Sequence, residues 1–123
     1  MPETTAQIIE RIGLIPVLRA RNAAQARSVV RAMIAGGVTV VEVTMTVPGA
    51  IDLLKELKTE YGSRLLLGSG TVTTAAEAQA TINAGAEFVV KARLALGRAV
   101  LRKEPSCFQS RGRRCLARCE RGR

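Results

Sequence analysis

Apolar and polar positions follow two alternating periods along residues 1–90, which predicts strands and helices in turn. Short apolar stretches rich in β-branched residues predict strands that begin near residues 14, 38, 65 and 87. Apolar residues recur at helical spacing in the segments between them, over 22–37, 48–62 and 74–85. Strands that alternate with helices at a repeat of about 24 residues are typical of an α/β fold with a parallel sheet.

The ends of the predicted helices carry the expected capping residues. Asn22 precedes the first helix, and Thr74 with Glu77 forms the spacing of a capping box before the third. Glycines follow each helix at positions where a left-handed backbone ends a helix, at residues 36, 37, 62 and 85. The helix boundaries are therefore predicted independently of the apolar pattern.

Regular repetition with short loops favours a (β/α) barrel, and an open doubly wound sheet is the alternative. A (β/α)8 TIM barrel has eight units in about 250 residues, whereas this sequence has three complete units and the start of a fourth. We therefore predict a partial (β/α)8 barrel. Its fourth strand is expected to have an unpaired edge, which would drive self-association.

Glu42 interrupts the apolar stretch VTVVEVTMTVPGA, residues 38–50. Because side chains alternate along a strand, Glu42 shares one face with Val40, Thr44 and Thr46. The opposite, entirely apolar face suits the outer helices. The mixed face is then expected to point into the barrel, with Glu42 near the carboxyl ends of the strands, where active sites of such barrels lie.

A buried carboxylate requires a partner, and Arg19 at the end of the first strand is the predicted one. The residues alone leave two interpretations open. The pair either holds the barrel together or belongs to an active site, since both arrangements perturb acids.

Charge divides the chain near residue 90. Residues 1–90 carry eight basic and eight acidic side chains, whereas residues 91–123 carry eleven basic and two acidic ones, which accounts for the whole net charge of +9. The amino terminus has no basic, apolar signal segment and no apolar run is long enough for a membrane span, so a cytoplasmic location without membrane contact is expected.

The basic tail, residues 91–123, has three interpretations. An arginine-rich arm would bind nucleic acid through phosphates, and this is the alternative function for the chain. A metal site of Cys107, Cys115 and Cys119 is weakly supported, because their spacing matches no common zinc pattern. The favoured interpretation is a shifted reading frame, since out-of-frame GC-rich codons give this Arg, Ala, Gly, Leu and Cys composition.

Several stretches in order, LIPVLRA, AGGVTVVEVTMTVPGA, GSGTV and NAGAEFVV, resemble the 2-keto-3-deoxy-6-phosphogluconate/4-hydroxy-2-oxoglutarate (KDPG/KHG) aldolases. The resemblance covers about residues 6–90. It implies a class I, Schiff-base aldolase on a (β/α) barrel, usually trimeric, that cleaves a keto-deoxy sugar acid to pyruvate and an aldehyde. It implies no cofactor. The absence of His and of a clustered acidic pair in residues 1–90 also argues against a metal-dependent aldolase.

The resemblance assigns roles to individual residues. Glu42 matches the catalytic glutamate that moves protons, Thr71 matches a threonine that binds the oxo acid, and Arg19 matches an arginine of some members. Apart from the resemblance, the reaction needs donors for the carboxylate and phosphate of the substrate, and the hydroxyls of Thr44 and Thr71 can supply part of them. Thr46 stands where many members have an arginine that holds the substrate, so the substrate contact at this position differs.

The imine-forming lysine of the family lies on a sixth strand, beyond residue 90. The lysines of this sequence are Lys55, Lys58, Lys91 and Lys103. Lys55 and Lys58 are expected to face solvent. Lys91 is a candidate by its place at the end of the fourth strand, but nothing around it resembles an imine-forming site. The chain is therefore expected to be inactive by itself.

Overall fold

The structure, a computed structural model, describes residues 2–91, 107–110 and 114–118, with side chains over 2–90. The helices of these ranges are α1 (Thr5–Ile12), α2 (Ala23–Ala35), α3 (Ala50–Tyr61), followed by a short 3₁₀ turn (Gly62–Arg64), and α4 (Ala75–Asn83). The strands are β1 (Val17–Leu18), β2 (Val40–Thr44), β3 (Leu66–Val72), β4 (Phe88–Lys91), β5 (Cys107–Ser110) and β6 (Arg114–Arg118). Among the helices of the described ranges, none is both long and apolar enough to cross a membrane.

The first four strands form a parallel sheet in sequential order, β1-β2-β3-β4. A doubly wound sheet would reverse its order at a switch point and place helices on both faces. Here α2 and α3 pack on one face, against Val41 and Val43 of β2 and Leu67 of β3. The α4 helix packs on the same face, where its Ala78 belongs to one apolar cluster with Val72 and with Val89 of β4. Sequential order with the crossover helices on one side is the arrangement of a (β/α) barrel, so the predicted partial barrel is confirmed.

The opposite face of the sheet is the inner face. Val40, Leu66 and Phe88, the first residues of their strands, form an apolar cluster there together with Val90. The α1 helix covers this cluster with three isoleucines, Ile8, Ile9 and Ile12. The amino end of the inner face is therefore covered by α1.

The sequence interpretation missed α1, although its signals are present. Thr4 and Gln7 form a reciprocal capping box, and Gly13 ends the helix in the left-handed conformation with φ of 77°. Arg11 and Glu3 form an ion pair of 3.0 Å beside the helix. The hydrogen bond from Arg11 lowers the pKa of the Glu3 carboxyl, and the same bond raises the pKa of Arg11.

The edge of β4 is paired, so the predicted open edge is wrong. β6 pairs antiparallel with β4, with Val89 opposite Ala117, and β5 pairs antiparallel with β6. These two strands come from the basic tail. The prediction failed because it considered only parallel barrel strands as partners for β4, whereas an antiparallel strand offers the same backbone groups.

The first strand, predicted to begin near residue 14, starts only at Val17 and is two residues long. Only Val17 and Leu18 pair with β2. Pro16 has no amide hydrogen, and only its carbonyl joins the sheet by accepting from the Glu42 amide at 2.9 Å. The first strand therefore contributes one short edge, which ends just before Arg19.

Candidate active site at the carboxyl ends of the strands

The register of the sheet places Glu42 in the centre of one level of the inner face. Val17, Glu42, Gly68 and Phe88 are successive partners across β1, β2, β3 and β4. Thr44 and Gly70 form the next level toward the carboxyl ends. The predicted acid and the predicted threonine on β2 therefore lie side by side with the glycine-rich end of β3.

The Glu42 side chain is only 4% exposed and extends over Gly70. A Cβ atom at position 70 would lie 2.5 Å from the Glu42 Cδ and 2.8 Å from its Cγ, so a larger residue does not fit there without movement. Gly70 thus provides the space that the carboxylate occupies. Among the described residues, no buried side-chain oxygen or nitrogen lacks a hydrogen-bond partner.

Gly68 provides space in the same way for Phe88 of β4, the strand on the other side of β3. A Cβ atom at position 68 would collide with the ring of Phe88, whose Cδ2 would be 2.5 Å away. Glu42 from β2 and Phe88 from β4 therefore both lean over β3, one above each glycine. The Phe88 ring gives the inner face an apolar surface at Gly68. The Glu42 carboxylate is the polar group that follows it toward the carboxyl ends of the strands.

Thr44 is fully buried and belongs to a chain of hydroxyl groups. Its Oγ1 donates to the carbonyl oxygen of Leu18 at 3.1 Å, which ties the end of β2 to the end of β1. Its Oγ1 also lies 2.8 Å from the Oγ1 of Thr46, which is exposed. The two predicted threonines are thus in direct contact, but only Thr46 reaches the surface.

Arg19 follows directly after Leu18 and is exposed. It therefore stands at the same end of the sheet as Thr44 and Thr46. Its predicted ion pair with Glu42 stays a prediction.

Thr71 has a strained backbone. Its φ of 58° is the only positive value among the non-glycine residues that the structure describes. A β-branched residue rarely adopts this conformation, and such strain often accompanies functional sites. The strain coincides with an irregular register between β3 and β4, over Ser69–Val72. The sequence identified Thr71 by resemblance but gave no signal for its backbone.

A second hydroxyl pair, absent from the sequence prediction, supports this strand end from the outer face. The buried Ser69 Oγ donates to the Thr81 Oγ1 at 2.9 Å, and Thr81 in turn donates to the carbonyl oxygen of Ala78 at 2.8 Å. The bond between Ser69 and Thr81 joins β3 to α4, two residues before the strained Thr71. The alternation along β3 would have placed Ser69 on the helix-facing side, but its partner depends on how α4 packs.

The lysines occupy different environments. Lys55 on α3 is exposed to solvent, as predicted. Its Nζ lies 3.8 Å from the Oδ1 of Asp52. Lys58 was also predicted to face solvent, but it is partly buried. Its Nζ lies 2.5 Å from Glu87, and both side chains are about one quarter exposed. Lys91 ends β4, where its backbone pairs with Val72. The remaining tail candidates, Lys103 and Cys119, lie outside the described residues.

Comparison with known proteins agrees with this arrangement. The family model of KDPG and KHG aldolases matches residues 5–102. The 2-dehydro-3-deoxy-phosphogluconate aldolase of Treponema pallidum (strain Nichols) is 37% identical over 87 residues, which are 71% of this chain and 41% of that protein. The KHG/KDPG aldolase of Escherichia coli (strain K12) is 30% identical over 89 residues, with 72% and 41% covered.

Solved structures give the same result. The KDPG aldolase of Legionella pneumophila, with pyruvate captured at low pH as a covalent carbinolamine intermediate, superposes with a TM-score of 0.56 at 36% identity, over 61% of this chain and 36% of that one. The KDPG aldolase of Zymomonas mobilis ATCC 29191 gives a TM-score of 0.54 at 35% identity, over 61% and 35%. This chain spans about two fifths of the length of the curated relatives it matches. On the sequence match and the shared sheet, the chain belongs to the KDPG and KHG aldolase family.

Proposed function

We propose that this chain carries the acid–base part of a class I aldolase that cleaves a keto-deoxy sugar acid to pyruvate and an aldehyde. The observation that carries the proposal is the position of Glu42. Its carboxylate is buried on the inner face of the sheet, in a space formed by Gly70. A carboxylate confined in this way holds one position relative to a substrate bound at the ends of the strands, as proton transfer requires.

The chemistry assigned to Glu42 is a proton transfer during carbon–carbon cleavage. A lysine amine first condenses with the keto group to form an iminium ion, and water leaves. Glu42 then takes the proton of the C4 hydroxyl, the C3–C4 bond breaks, and its electron pair moves into the iminium ion to give an enamine and a free aldehyde. Return of a proton to C3 and hydrolysis release pyruvate and the amine.

The surrounding residues have binding and positioning roles in this proposal. Arg19 is exposed at the end of β1, where its guanidinium suits an anionic group of the substrate. Thr71 binds the oxo acid, and its strained backbone fixes the direction of its hydroxyl. Thr44 is buried, so it acts by positioning Thr46, which is exposed and available to the substrate.

The imine-forming amine is the element that these residues do not supply. Lys55 and Lys58 lie on α3, which packs on the outer face of the sheet, away from Glu42. The family resemblance assigns the amine to a sixth strand. We therefore expect the chain to be inactive by itself. The cytoplasmic location expected from the sequence and the homotrimeric assembly implied by the resemblance belong to the same proposal.

The first experiment uses the full chain. Pyruvate and sodium borohydride are added, any reduced imine is located by mass spectrometry, and pyruvate release from 2-keto-3-deoxy-6-phosphogluconate is followed in parallel. We expect no adduct and no turnover. An adduct on Lys91, lost in Lys91→Met, would instead assign the amine to the end of β4.

The second experiment tests Glu42 where an amine is present. Residues 1–91 of this chain replace the matched part of the E. coli KHG/KDPG aldolase, and pyruvate release is measured for the chimera. We expect Glu42→Gln to lower kcat about 100-fold or more, which is the usual contribution of a general acid–base group. Glu60→Gln, at an exposed position of α3, is the matched control. Equal activity of the two variants would remove the role assigned to Glu42.

We also propose that residues 1–90 and 91–123 are two regions of different origin, with the second one read in a shifted frame. Its composition supports this: eleven of its residues are basic, against eight in the first ninety. Resequencing the locus and translating all three frames is the test. Absence of a continuing barrel sequence in every frame would make the tail native.

A further inference from the structure

The direction of two hydrogen bonds determines what Thr46 offers to a substrate. The carbonyl oxygen of Leu18 accepts only, so the single hydroxyl hydrogen of Thr44 is used in the bond of 3.1 Å to Leu18. The contact of 2.8 Å between the two threonine hydroxyls then requires a hydrogen from Thr46. The hydroxyl hydrogen of Thr46 therefore points inward, to Thr44.

Only lone pairs remain on the exposed side of the Thr46 hydroxyl. A hydroxyl group has one hydrogen and two acceptor sites, and the hydrogen is already used. Carboxylate and phosphate oxygens are acceptors, so they find no donor in this arrangement and meet lone pairs instead. A neutral hydroxyl group of the substrate can donate its hydrogen to these lone pairs, so it is complementary to the Thr46 hydroxyl.

We infer that Thr46 accepts a hydrogen bond from a neutral hydroxyl group of the substrate and does not hold its carboxylate or phosphate. The inference rests on the proposed function, because it concerns a keto-deoxy sugar acid bound beside Glu42. It makes position 46 a determinant of substrate choice: the chain prefers keto acids with a hydroxylated carbon chain over keto acids of the same length without hydroxyl groups. Thr44 is the positioning residue that fixes this preference, through Leu18.

The test compares two probes that share the keto acid end and the carbon number, 2-keto-3-deoxygluconate and 2-oxohexanoate. Isothermal titration of the full chain gives a Kd for each. The variants are Thr46→Val, which removes the hydroxyl, Thr46→Ser, which keeps it, and Thr39→Val, at an exposed threonine just before β2, whereas Thr46 follows that strand. Circular dichroism verifies that each variant is folded like the parent chain.

We expect Thr46→Val to raise the Kd of 2-keto-3-deoxygluconate about 3- to 10-fold, which is the effect of one hydrogen bond. The Kd of 2-oxohexanoate should not change. Thr46→Ser and Thr39→Val should keep the parent ratio of the two Kd values. Equal weakening of both probes by Thr46→Val would mean that Thr46 donates to the shared carboxylate, and would overturn the inference. An unchanged ratio, or binding of neither probe to the parent chain, would overturn it as well.

The two proposals fail in different measurements. If Glu42→Gln leaves the chimera active while Thr46→Val changes the ratio of the Kd values, the acid–base role fails and the hydroxyl preference stands as a binding property. If Glu42→Gln abolishes turnover while the ratio stays constant, only the inference about Thr46 fails.

Discussion

The carboxylate of Glu42 on β2 occupies the space above Gly70 on β3 that a side chain at position 70 would fill. The two residues belong to adjacent parallel strands, and Gly70 is the register partner of Thr44, two residues beyond Glu42. Gly70 is thus required because it leaves room for the Glu42 side chain, and it lies within β3 rather than in a turn. This relationship makes the two positions energetically dependent on each other.

We expect Gly70→Ala to lower the free energy of unfolding by about 1–3 kcal/mol, because the new methyl group displaces a buried side chain. In a Glu42→Ala background the same change should cost much less, since the obstructing carboxylate is gone. A double-mutant cycle from urea unfolding measures the coupling. Gly36→Ala, where the nearest atom to a Cβ is a backbone oxygen at 3.4 Å, is the control. Equal costs in both backgrounds would contradict the described geometry.

Strand alternation was sufficient to predict the face on which Glu42 lies, because the period of a strand is two. It was not sufficient to predict that Gly68 and Gly70 receive Phe88 and Glu42 from opposite neighbours. Which neighbour leans over a glycine depends on sheet twist and on the register of two other strands. The positions of Phe88 and Glu42 over the glycines therefore depend on β2, β3 and β4 together. The sequence GSG at residues 68–70 does not specify them alone.

Thr44 and Thr46 should differ in their contribution to stability. Thr44→Val removes a buried hydrogen bond to the Leu18 carbonyl and is expected to cost about 1 kcal/mol. Thr46→Val loses only the partly buried contact of 2.8 Å with Thr44, which Thr44→Val loses as well, and should lower the free energy of unfolding by less than about 0.5 kcal/mol. Chemical denaturation of both variants measures the difference. Equal effects would mean that the bond to Leu18 does not contribute to stability.

Thr71→Gly should relieve backbone strain. Glycine adopts a φ of 58° without cost, whereas threonine at this φ costs about 1–3 kcal/mol. Glycine also loses about 0.5–1 kcal/mol of stability through its flexibility, so the expected net result is unchanged or higher stability. Thr39→Gly, which has no positive φ to relieve, should be destabilising. Thermal unfolding of the pair decides, and a loss of stability in Thr71→Gly equal to that in Thr39→Gly would contradict strain at Thr71.

Two lysines one helical turn apart on α3 should respond differently to substitution. Lys58 forms an ion pair with Glu87, just before β4, and its Cγ would be 2.8 Å from a Cβ atom added at Gly85. Lys58→Met removes this partly buried pair and should cost about 1 kcal/mol, whereas the exposed Lys55→Met should cost close to nothing. Unfolding at low and high salt measures both. A larger cost for Lys55→Met would contradict this assignment.

The helix α1 and the pairing of β4 show two different reasons for missing a structural element. The signals for α1 are local, namely the capping box of Thr4 and Gln7 and the glycine at position 13, so the sequence contains enough information to predict this helix. The pairing of β4 with β6 joins Val90 to Leu116. No local pattern specifies so distant a partner, because any strand with a free edge satisfies the same backbone groups.

The pairing of β6 with β4 predicts that the basic tail keeps the chain from associating through β4. Phe88, Val89 and Val90 use their backbone edge in this pairing, and β4 is buried over these residues. A chain ending at residue 91 would expose that edge beside an apolar surface, and exposed edges of this kind pair with other copies. We expect the shortened chain to sediment as larger species than the full chain at the same concentration.

A peptide with the sequence of residues 107–118 provides the matched test of this mechanism. Added to the shortened chain, it should restore the smaller species, because it supplies the β5–β6 pair in trans. A scrambled peptide has the same charge but no register with β4, so it should have no effect. Equal action of both peptides would assign the effect to charge, since a strongly basic segment also reduces association by repulsion. Identical sedimentation of the shortened and full chains would mean that β6 does not protect β4 in solution.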